Sequence, residues 1–337
     1  MQKFVGETAL WRPKSGFSHP PFRESHKRNW KKLFDMLPFF WEKLSHGLGA
    51  HFRTKICIEP KKMLWTKNYG KQGIKLKSQI EQVFHTDKPI IAMLHLNGFT
   101  PERVHEWAKR EIEQLYANGV DAVLVEDYFG TPGDVEWALD YLNSNYPDHV
   151  YGVNLLSDPE KGFALAKQYG AAFLQIDSVC GHLRPGFHMK GSDKPNLYDK
   201  TCDGDYAERL AVLRAQYPLF LLGGVRFKYQ PVRSGRSAEE DLRIGKERCN
   251  AVVVTGAGTG IDTGVEKIKQ FREVLGDFPL FVGAGMTAET CAAQLAIADG
   301  AIVGSWFKEN GFAEAPVDPE RVKVFMEIVK GIRERMV

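Results

Sequence analysis

Polar residues stand near the carboxyl ends of several short apolar runs in this sequence. His95 and Glu126 lie late in the first and second runs. Asp177 and Lys228 lie late in the fourth and fifth. A cleft can shift the pKa of a histidine or a carboxyl group toward neutrality, and a lysine can hold an anion or form a Schiff base. These four are the candidate catalytic residues, although a satisfied structural hydrogen bond explains any one of them equally well.

Alternation along the runs predicts which polar residues share a face. Residues i and i+2 of a strand point to the same side, so Gln175 lies with Asp177, and Arg226 with Lys228. Asn154 lies late in the third run and is a candidate substrate-binding residue. Polar side chains are costly to bury without a purpose, so their recurrence at run ends indicates a binding site.

Glycine-rich turns follow the last three runs. Gly283, Ala284 and Gly285 follow the seventh run, and Gly304 and Ser305 follow the eighth. Backbone N–H groups at such turns can approach an anion closely, and helix dipoles add a favourable potential. We therefore expect these five residues to bind a phosphate, the competing interpretation being that the glycines serve tight turns. The turn TGAGTG after the sixth run adds the hydroxyls of Thr255 and Thr259, which suit a phosphate or a diol.

One set of cysteine and histidine residues is a candidate metal site. Cys180, His182, His188 and Cys202 could together form a four-ligand zinc set, but their spacing matches no standard zinc pattern. The interpretation as scattered loop residues is the better one. The sequence therefore predicts no metal and no cofactor.

The predicted elements that position these residues alternate regularly between strands and helices. From Pro89 onward, eight apolar runs alternate with amphipathic helical stretches within about 260 residues, which is typical of a parallel sheet covered by helices. Eight near-equal units favour a closed (β/α)₈ barrel, or TIM barrel, over a doubly wound open sheet. The chemistry of such a barrel lies at the carboxyl ends of its strands, where the candidate residues stand.

Charge divides the chain into two predicted parts. Residues 1–77 hold 17 Lys and Arg against 5 Asp and Glu, whereas residues 78–337 hold 28 against 37. We expect 1–77 to be a basic, aromatic-rich extension and 78–337 to be the barrel. Three interpretations of the extension stay open: helices that close the bottom of the barrel, a segment that binds an anionic membrane or a partner, and an upstream translation artefact.

Composition narrows the cellular setting. The five cysteines are scattered without a CxxC pair, which indicates reduced thiols rather than a disulfide framework. No apolar stretch is long enough to span a membrane, and the start does not read as a secretory signal. We expect a cytoplasmic protein that could also associate peripherally with a membrane. The acidic barrel portion argues against nucleic-acid binding.

Five motifs resemble the BtpA/SgcQ family of barrel proteins. They are AMLHL at Ala92–Leu96, GVDAVLVED at Gly119–Asp127, AVVVTGAGTG at Ala251–Gly260, DGAIVGSWFK at Asp299–Lys308, and VDPERV at Val317–Val322 with Gly311. The resemblance implies a barrel of the ribulose-phosphate-binding type. It also implies matching pocket positions at His95, Glu126, Thr255, Gly256, Thr259, Gly260 and Lys308. The chain departs from the family in having Asp127, where Asn is usual, after Glu126, and in the loop after the fourth run.

Two classes of function fit this sequence. Members of the resembling family are associated with photosystem I assembly or with sugar-utilisation gene clusters. The favoured hypothesis is an enzyme acting on a phosphorylated sugar or nucleoside-like substrate by isomerisation, lyase chemistry or glycosyl-bond cleavage. The alternative is a non-catalytic assembly or biogenesis factor at a membrane surface. Assembly into a homo-oligomer is an open expectation in either case.

Overall fold

The protein is described by a computed structural model over residues 79–180, 204–229 and 235–336. The extension over 1–77 lies outside these residues, as do His182, His188 and Cys202, so the predicted boundary after residue 77 stays a prediction. Within the described ranges, no group of three or more His, Cys, Asp or Glu side chains could hold a metal ion. Nor is any helix in those ranges long and apolar enough to cross a membrane.

Eight short parallel strands form the wall of a closed barrel. They are β1 (Ile90–Leu94), β2 (Ala122–Glu126), β3 (Val150–Asn154), β4 (Phe173–Ile176), β5 (Phe220–Gly224), β6 (Ala251–Val254), β7 (Leu280–Gly283) and β8 (Gly300–Val303). Each strand pairs with the next, and β8 returns to β1 with Ile302 opposite Ile91. The predicted (β/α)₈ barrel is therefore confirmed.

Helices cover the outside of the barrel. After a short helix α1 over residues 79–84, they are α2 (Pro101–Ala117), α3 (Pro132–Asn145), α4 (Pro159–Gln168), α5 (Gly204–Gln216), α6 (Ala238–Arg248), α7 (Val265–Leu275), α8 (Cys291–Leu295) and α9 (Pro319–Glu334). The helices α2, α3, α4 and α9 each begin with a proline that follows a capping Thr or Asp. The cap satisfies a free N–H group of the first turn, and proline has no N–H there to leave unsatisfied.

The barrel interior is apolar at its amino-terminal end. Phe84 of α1 places its ring centroid 5.2 Å from that of Phe173 and 5.7 Å from that of Phe220, which are the first residues of β4 and β5. The ring of Phe281 lies 6.0 Å away. These rings fill the bottom of the barrel, so inward-facing polar residues can gather only at the opposite end.

The fifth strand is shorter than its sequence predicts. It ends at Gly224, and Arg226 has a positive φ of 50°, so strand alternation does not continue to Lys228. The guanidinium of Arg226 instead pairs with the fully buried carboxylate of Asp241 on α6. The expectation that Arg226 and Lys228 share a face was therefore wrong, because a turn intervenes between them.

Candidate functional site

His95 and Glu126 meet at the carboxyl end of the barrel. Inward-facing Ile91 and Met93 lead to His95, and Leu124 leads to Glu126, because every second residue of a strand faces the interior. The His95 Nε2 atom lies 3.8 Å from the Glu126 Oε2 atom, and the two residues are only 4% and 5% exposed. This separation is longer than a hydrogen bond, so the two groups are neighbours that do not satisfy each other.

A backbone carbonyl fixes the orientation of the imidazole. His95 Nδ1 lies 3.2 Å from the carbonyl oxygen of Ala313, in the segment that follows β8. A carbonyl oxygen only accepts hydrogen bonds, so Nδ1 carries the hydrogen and Nε2 keeps its lone pair in the neutral ring. Nε2, the atom beside Glu126, is therefore available to accept a hydrogen bond.

The environment drives the pKa values of the two groups in opposite directions. Burial, followed by the positive charges of Lys308 and Lys228, lowers the pKa of His95 to about 3. Burial and the nearby Asp177 carboxylate raise the pKa of Glu126 to about 8. Near pH 7 the imidazole is therefore neutral, and most of the Glu126 carboxyl groups hold a proton. Such opposed shifts assign acid and base roles in known active sites.

An amide network extends from Glu126 across the ends of β3 and β4. Asn154 Nδ2 donates to Glu126 Oε1 at 2.7 Å and to Asp177 Oδ1 at 3.1 Å. Gln175 Nε2 also donates to Asp177 Oδ1, at 3.0 Å. Burial raises the pKa of Asp177 above its usual range, against the opposing effect of Lys228. Four polar residues predicted from three neighbouring strands are thus joined in one cluster.

The opposite wall carries the lysine. Lys228 Nζ donates to Thr259 Oγ1 at 3.1 Å, and the Tyr128 hydroxyl lies 3.2 Å from the same oxygen. The Lys228 ammonium also lies 5.9 Å from the centroid of the Tyr128 ring. This wall offers a cation, hydroxyls and an aromatic ring toward the mouth of the barrel.

One pocket unites most of the predicted site. Its polar lining includes His95, Glu126, Gln175, Lys228 and Thr259. The predicted anion-binding residues line it as well, namely Gly260, Gly283, Ala284, Gly285, Gly304 and Ser305. Met93, Phe227 and Ile302 form its apolar floor and side. Three of the four candidate catalytic residues therefore share one cavity with the predicted phosphate-binding turns, whereas Asp177 and Asn154 do not line it.

The glycines of the pocket are required by close packing. A Cβ atom on Gly304 would lie 3.1 Å from the His95 ring, and one on Gly285 would lie 2.2 Å from the backbone of Ile261. Gly285 also has a φ of 66°, which favours glycine. Packing therefore accounts for both glycines, and both residues line the pocket.

Three predicted site residues make other contacts. Thr255 Oγ1 accepts the Lys228 backbone N–H at 2.7 Å, so it supports the lysine from below. A Cβ on Gly256 would lie 2.4 Å from the Ile261 carbonyl oxygen, so this glycine permits loop packing. Lys308 does not line the pocket: its Nζ lies 2.7 Å from Glu111 Oε2, and the residue is 2% exposed. The expectation that Lys308 contacts ligand was wrong, because Glu111 on α2 holds its ammonium.

Asp127 turns away from its neighbour Glu126. Its Oδ1 accepts the Leu156 backbone N–H at 2.6 Å, and its Oδ2 accepts the Ser157 backbone N–H at 3.2 Å and the Ser157 hydroxyl at 2.6 Å. These bonds tie the end of β2 to the loop after β3. The departure from the family pattern at this position therefore lies outside the pocket.

Sequence reasoning missed several participants in the site. Tyr128 and Phe227 flank the predicted residues Asp127 and Lys228 but were not singled out. Ala313 was missed because its contribution is a backbone carbonyl, which no side-chain pattern reveals. Tyr128 and Phe227 could have been predicted, because they follow strand ends as the polar residues do.

Comparisons with known proteins concern the barrel. A family model described as the BtpA family matches residues 237–331. The Photosystem I biogenesis protein BtpA of Synechocystis sp. is 24% identical over 280 residues, which are 75% of this chain and 92% of that protein. SgcQ, named for the sgc region of Escherichia coli, is 24% identical over 283 residues, 76% of this chain and 99% of that protein.

A solved structure shows the same fold. It is a cube-shaped, highly porous protein cage designed by fusing symmetric oligomeric domains, which superposes with a TM-score of 0.51. The match covers 74% of this chain and 75% of that one at 17% sequence identity, and at that identity it speaks to fold alone. The family-model match and the two relatives confirm the resemblance to the BtpA family that the motifs indicated.

Proposed function

We propose that this barrel is an enzyme that acts on a phosphorylated sugar or nucleoside-like substrate by isomerisation, lyase chemistry or glycosyl-bond cleavage. The observation that carries the proposal is the His95–Glu126 pair. Its two facing atoms lie 3.8 Å apart, inside the pocket that Gly285, Gly304 and Ser305 also line. Each of these reaction types requires a proton to move to or from an oxygen or carbon atom of the substrate.

The protonation states favour Glu126 as the acid and His95 as the acceptor. Near neutral pH the protonated Glu126 carboxyl can donate from Oε2 to a substrate oxygen. The neutral imidazole can accept a hydrogen bond from the substrate at Nε2, because Ala313 holds the hydrogen on Nδ1. Proton transfer by positioned side chains contributes about 10²–10⁴-fold to rate. Lys228 is placed to bind an anionic part of the substrate or to balance charge at Asp177.

Support for a phosphate comes from the turns after β7 and β8. Gly285 lies outside any helix or strand, and its N–H finds no acceptor among the described residues. The turn therefore offers a free donor at the edge of the pocket. Charge-assisted hydrogen bonds to such donors are worth roughly 1.5–3 kcal/mol each, so a few of them would hold a phosphate group firmly.

The proposal is tested by turnover. The full chain is screened against sugar phosphates and phosphorylated nucleosides, and the best substrate is repeated with His95→Asn and Glu126→Gln. We expect each variant to lose about a hundredfold or more in kcat. Rates within a few-fold of the parent would remove this pair from the mechanism. No turnover with any such compound would reject the enzymatic function.

The second candidate is an assembly factor at an anionic membrane surface. It is favoured by the composition of residues 1–77, which hold 17 Lys and Arg and 5 Asp and Glu, and by the name of the Synechocystis relative, a photosystem I biogenesis protein. A basic residue near an anionic membrane contributes about 1 kcal/mol to binding. Cosedimentation of the full chain with phosphatidylserine vesicles, lost at high salt, would support it. Equal recovery with neutral and anionic vesicles would reject it.

A further inference from the structure

Gln175 carries a buried acceptor that the protein leaves unused. The residue is 4% exposed, and its Oε1 atom has no hydrogen-bond partner among the described residues. Gln175 also lines the pocket that holds His95 and Glu126. A buried amide oxygen without a donor is unfavourable, and in native proteins most such groups are satisfied. Because Gln175 lines the pocket, a ligand bound there is the nearest possible source of a donor.

The orientation of this amide is dictated by its neighbours. Gln175 Nε2 donates to Asp177 Oδ1 at 3.0 Å, and a flipped amide would instead set its oxygen against that carboxylate oxygen. Asp177 Oδ1 also accepts an N–H group from Asn154, so this oxygen acts as an acceptor and the amide nitrogen of Gln175 faces it. The free group is consequently the oxygen, and a ligand atom that satisfies it must be a donor.

The surrounding network favours a hydroxyl donor over a cation. Asp177 Oδ1 already receives N–H groups from both Asn154 and Gln175, and Asn154 also donates to Glu126 Oε1. A divalent cation prefers several carboxylate oxygens as ligands, and two of the four in this cluster, Asp177 Oδ1 and Glu126 Oε1, already accept N–H groups. A hydroxyl group needs only the Gln175 oxygen and leaves the network intact.

The position of Gln175 indicates which part of a ligand it contacts. Gln175 belongs to β4, which stands four strands from β8 in the eight-membered ring of strands. The turns proposed to bind phosphate follow β7 and β8, on the opposite side of the mouth. A ligand anchored by its phosphate at those turns therefore presents its remote end to β4.

We propose that Gln175 Oε1 accepts a hydrogen bond from a ligand hydroxyl remote from the phosphate, so that the pocket selects polyhydroxylated phosphate esters over their deoxy counterparts. This inference rests on the proposed function, because it takes the phosphate to be held at the β7 and β8 turns. It makes Gln175 a specificity-determining residue of that site. Sites that pair a buried group with a substrate hydroxyl discriminate strongly against a ligand that lacks it.

The test compares two probes that differ at one hydroxyl. Isothermal titration of the full chain uses ribose 5-phosphate and 2-deoxyribose 5-phosphate, with inorganic phosphate as the anion reference. We expect the parent to bind ribose 5-phosphate at least about tenfold more tightly than the deoxy compound. Gln175→Met removes the acceptor at similar volume and is expected to bring the two affinities within about twofold of each other.

Gln294→Met is the matched control. Gln294 is another buried glutamine whose Nε2 donates to an aspartate, Asp262, and whose Oε1 lacks a donor, but it does not line the pocket. This variant should keep the parental preference between the two probes. If Gln294→Met also loses the preference for ribose 5-phosphate, the preference depends on packing in general. That result would overturn the role of Gln175.

The outcomes separate this inference from the function it rests on. If both sugar phosphates bind the parent protein with equal affinity, the hydroxyl contact is overturned and the proposed function stands. Failure of both sugar phosphates and of inorganic phosphate to bind overturns the two together. A preference that appears only with Mg²⁺ and disappears with EDTA overturns the hydroxyl contact in favour of a cation. Equal parental affinities for ribose 5-phosphate and 2-deoxyribose 5-phosphate would overturn the contact even when Gln175→Met fails to fold.

Discussion

Lys308 Nζ lies 2.7 Å from Glu111 Oε2, and this buried ion pair ties the segment after β8 to helix α2. The second oxygen of Glu111 accepts the Val317 backbone N–H at 3.1 Å. The segment between Lys308 and Val317 is thus anchored at both ends by one carboxylate. That segment carries Ala313, whose carbonyl orients His95. A lysine expected to bind ligand therefore acts on the site through the backbone.

Lys308→Met is expected to lower the free energy of unfolding by about 3–5 kcal/mol, because it leaves the Glu111 carboxylate buried without its cation. Urea unfolding followed by circular dichroism measures the change. Lys269→Met is the control, since it removes an exposed pair with Glu266, and should change stability by less than about 1 kcal/mol. A Lys308→Met effect as small as that of the control would show that the pair is not structural.

Gly304→Ala should impair the site, whereas Gly331→Ala should not. The new methyl at position 304 would lie 3.1 Å from the His95 ring, so the imidazole must move away from Ala313 or Glu126. Gly331 lies inside α9, where an added methyl meets only the end of the Arg335 side chain at 3.6 Å. Alanine there should stabilise the protein by about 0.4–1 kcal/mol. Sugar-phosphate binding by calorimetry is the readout, and equal affinity in both variants would contradict the assigned packing.

Glu126→Gln should raise stability more at alkaline than at acidic pH. The folded-state pKa of Glu126 is raised to about 8 from 4.5, so the folded protein keeps a proton that the unfolded chain releases above pH 4.5. The stabilisation linked to this proton is complete below about pH 4.5 and is lost as the pH rises through about 8. Glutamine has no such proton to lose.

The measurement is the difference in Tm between Glu126→Gln and the parent at about pH 5 and about pH 9. We expect the difference to move in favour of the variant as the pH rises. The exposed Glu266→Gln substitution is the control for removing a carboxylate outside the pocket. A Glu126→Gln difference that is flat with pH would contradict a raised pKa for Glu126.

The rate of the proposed reaction should fall above about pH 8, as Glu126 ionises and can no longer donate a proton. His95 stays neutral down to about pH 3, so it adds no decrease near neutrality. The pH profile of kcat/KM for the best substrate gives the check. A rate that rises through pH 8 would reverse the roles and make ionised Glu126 the base.

The fold was readable because the strands and helices carry strong local signals. The eight apolar runs became the eight strands, and the amphipathic stretches between them became helices. Helix α8 has only five residues, because Thr287 and Thr290 hydrogen-bond to each other in a turn before it. A side-chain-capped turn of this kind cannot be told from a first helical turn by periodicity.

The site was readable only in part, because strand alternation states which way a residue faces but not what it contacts. His95, Glu126 and Gln175 lie in the pocket as alternation predicts. Lys308 follows β8 in a segment that is not a strand, so strand alternation does not predict which way its side chain points. Its partner Glu111 is distant in sequence. The acceptor role of Ala313 depends on how that segment folds back over β1, which no local pattern encodes.

The central claim is that one ligand spans the mouth from the β7 and β8 turns to the His95–Glu126 pair. A crystal structure of the full chain with ribose 5-phosphate tests it most directly. We expect the phosphate within hydrogen-bond distance of the backbone N–H of Gly285 or Ser305, with a sugar oxygen beside His95 Nε2 and Glu126 Oε2. A sugar phosphate bound elsewhere on the protein, or a phosphate oriented toward β4, would contradict the account.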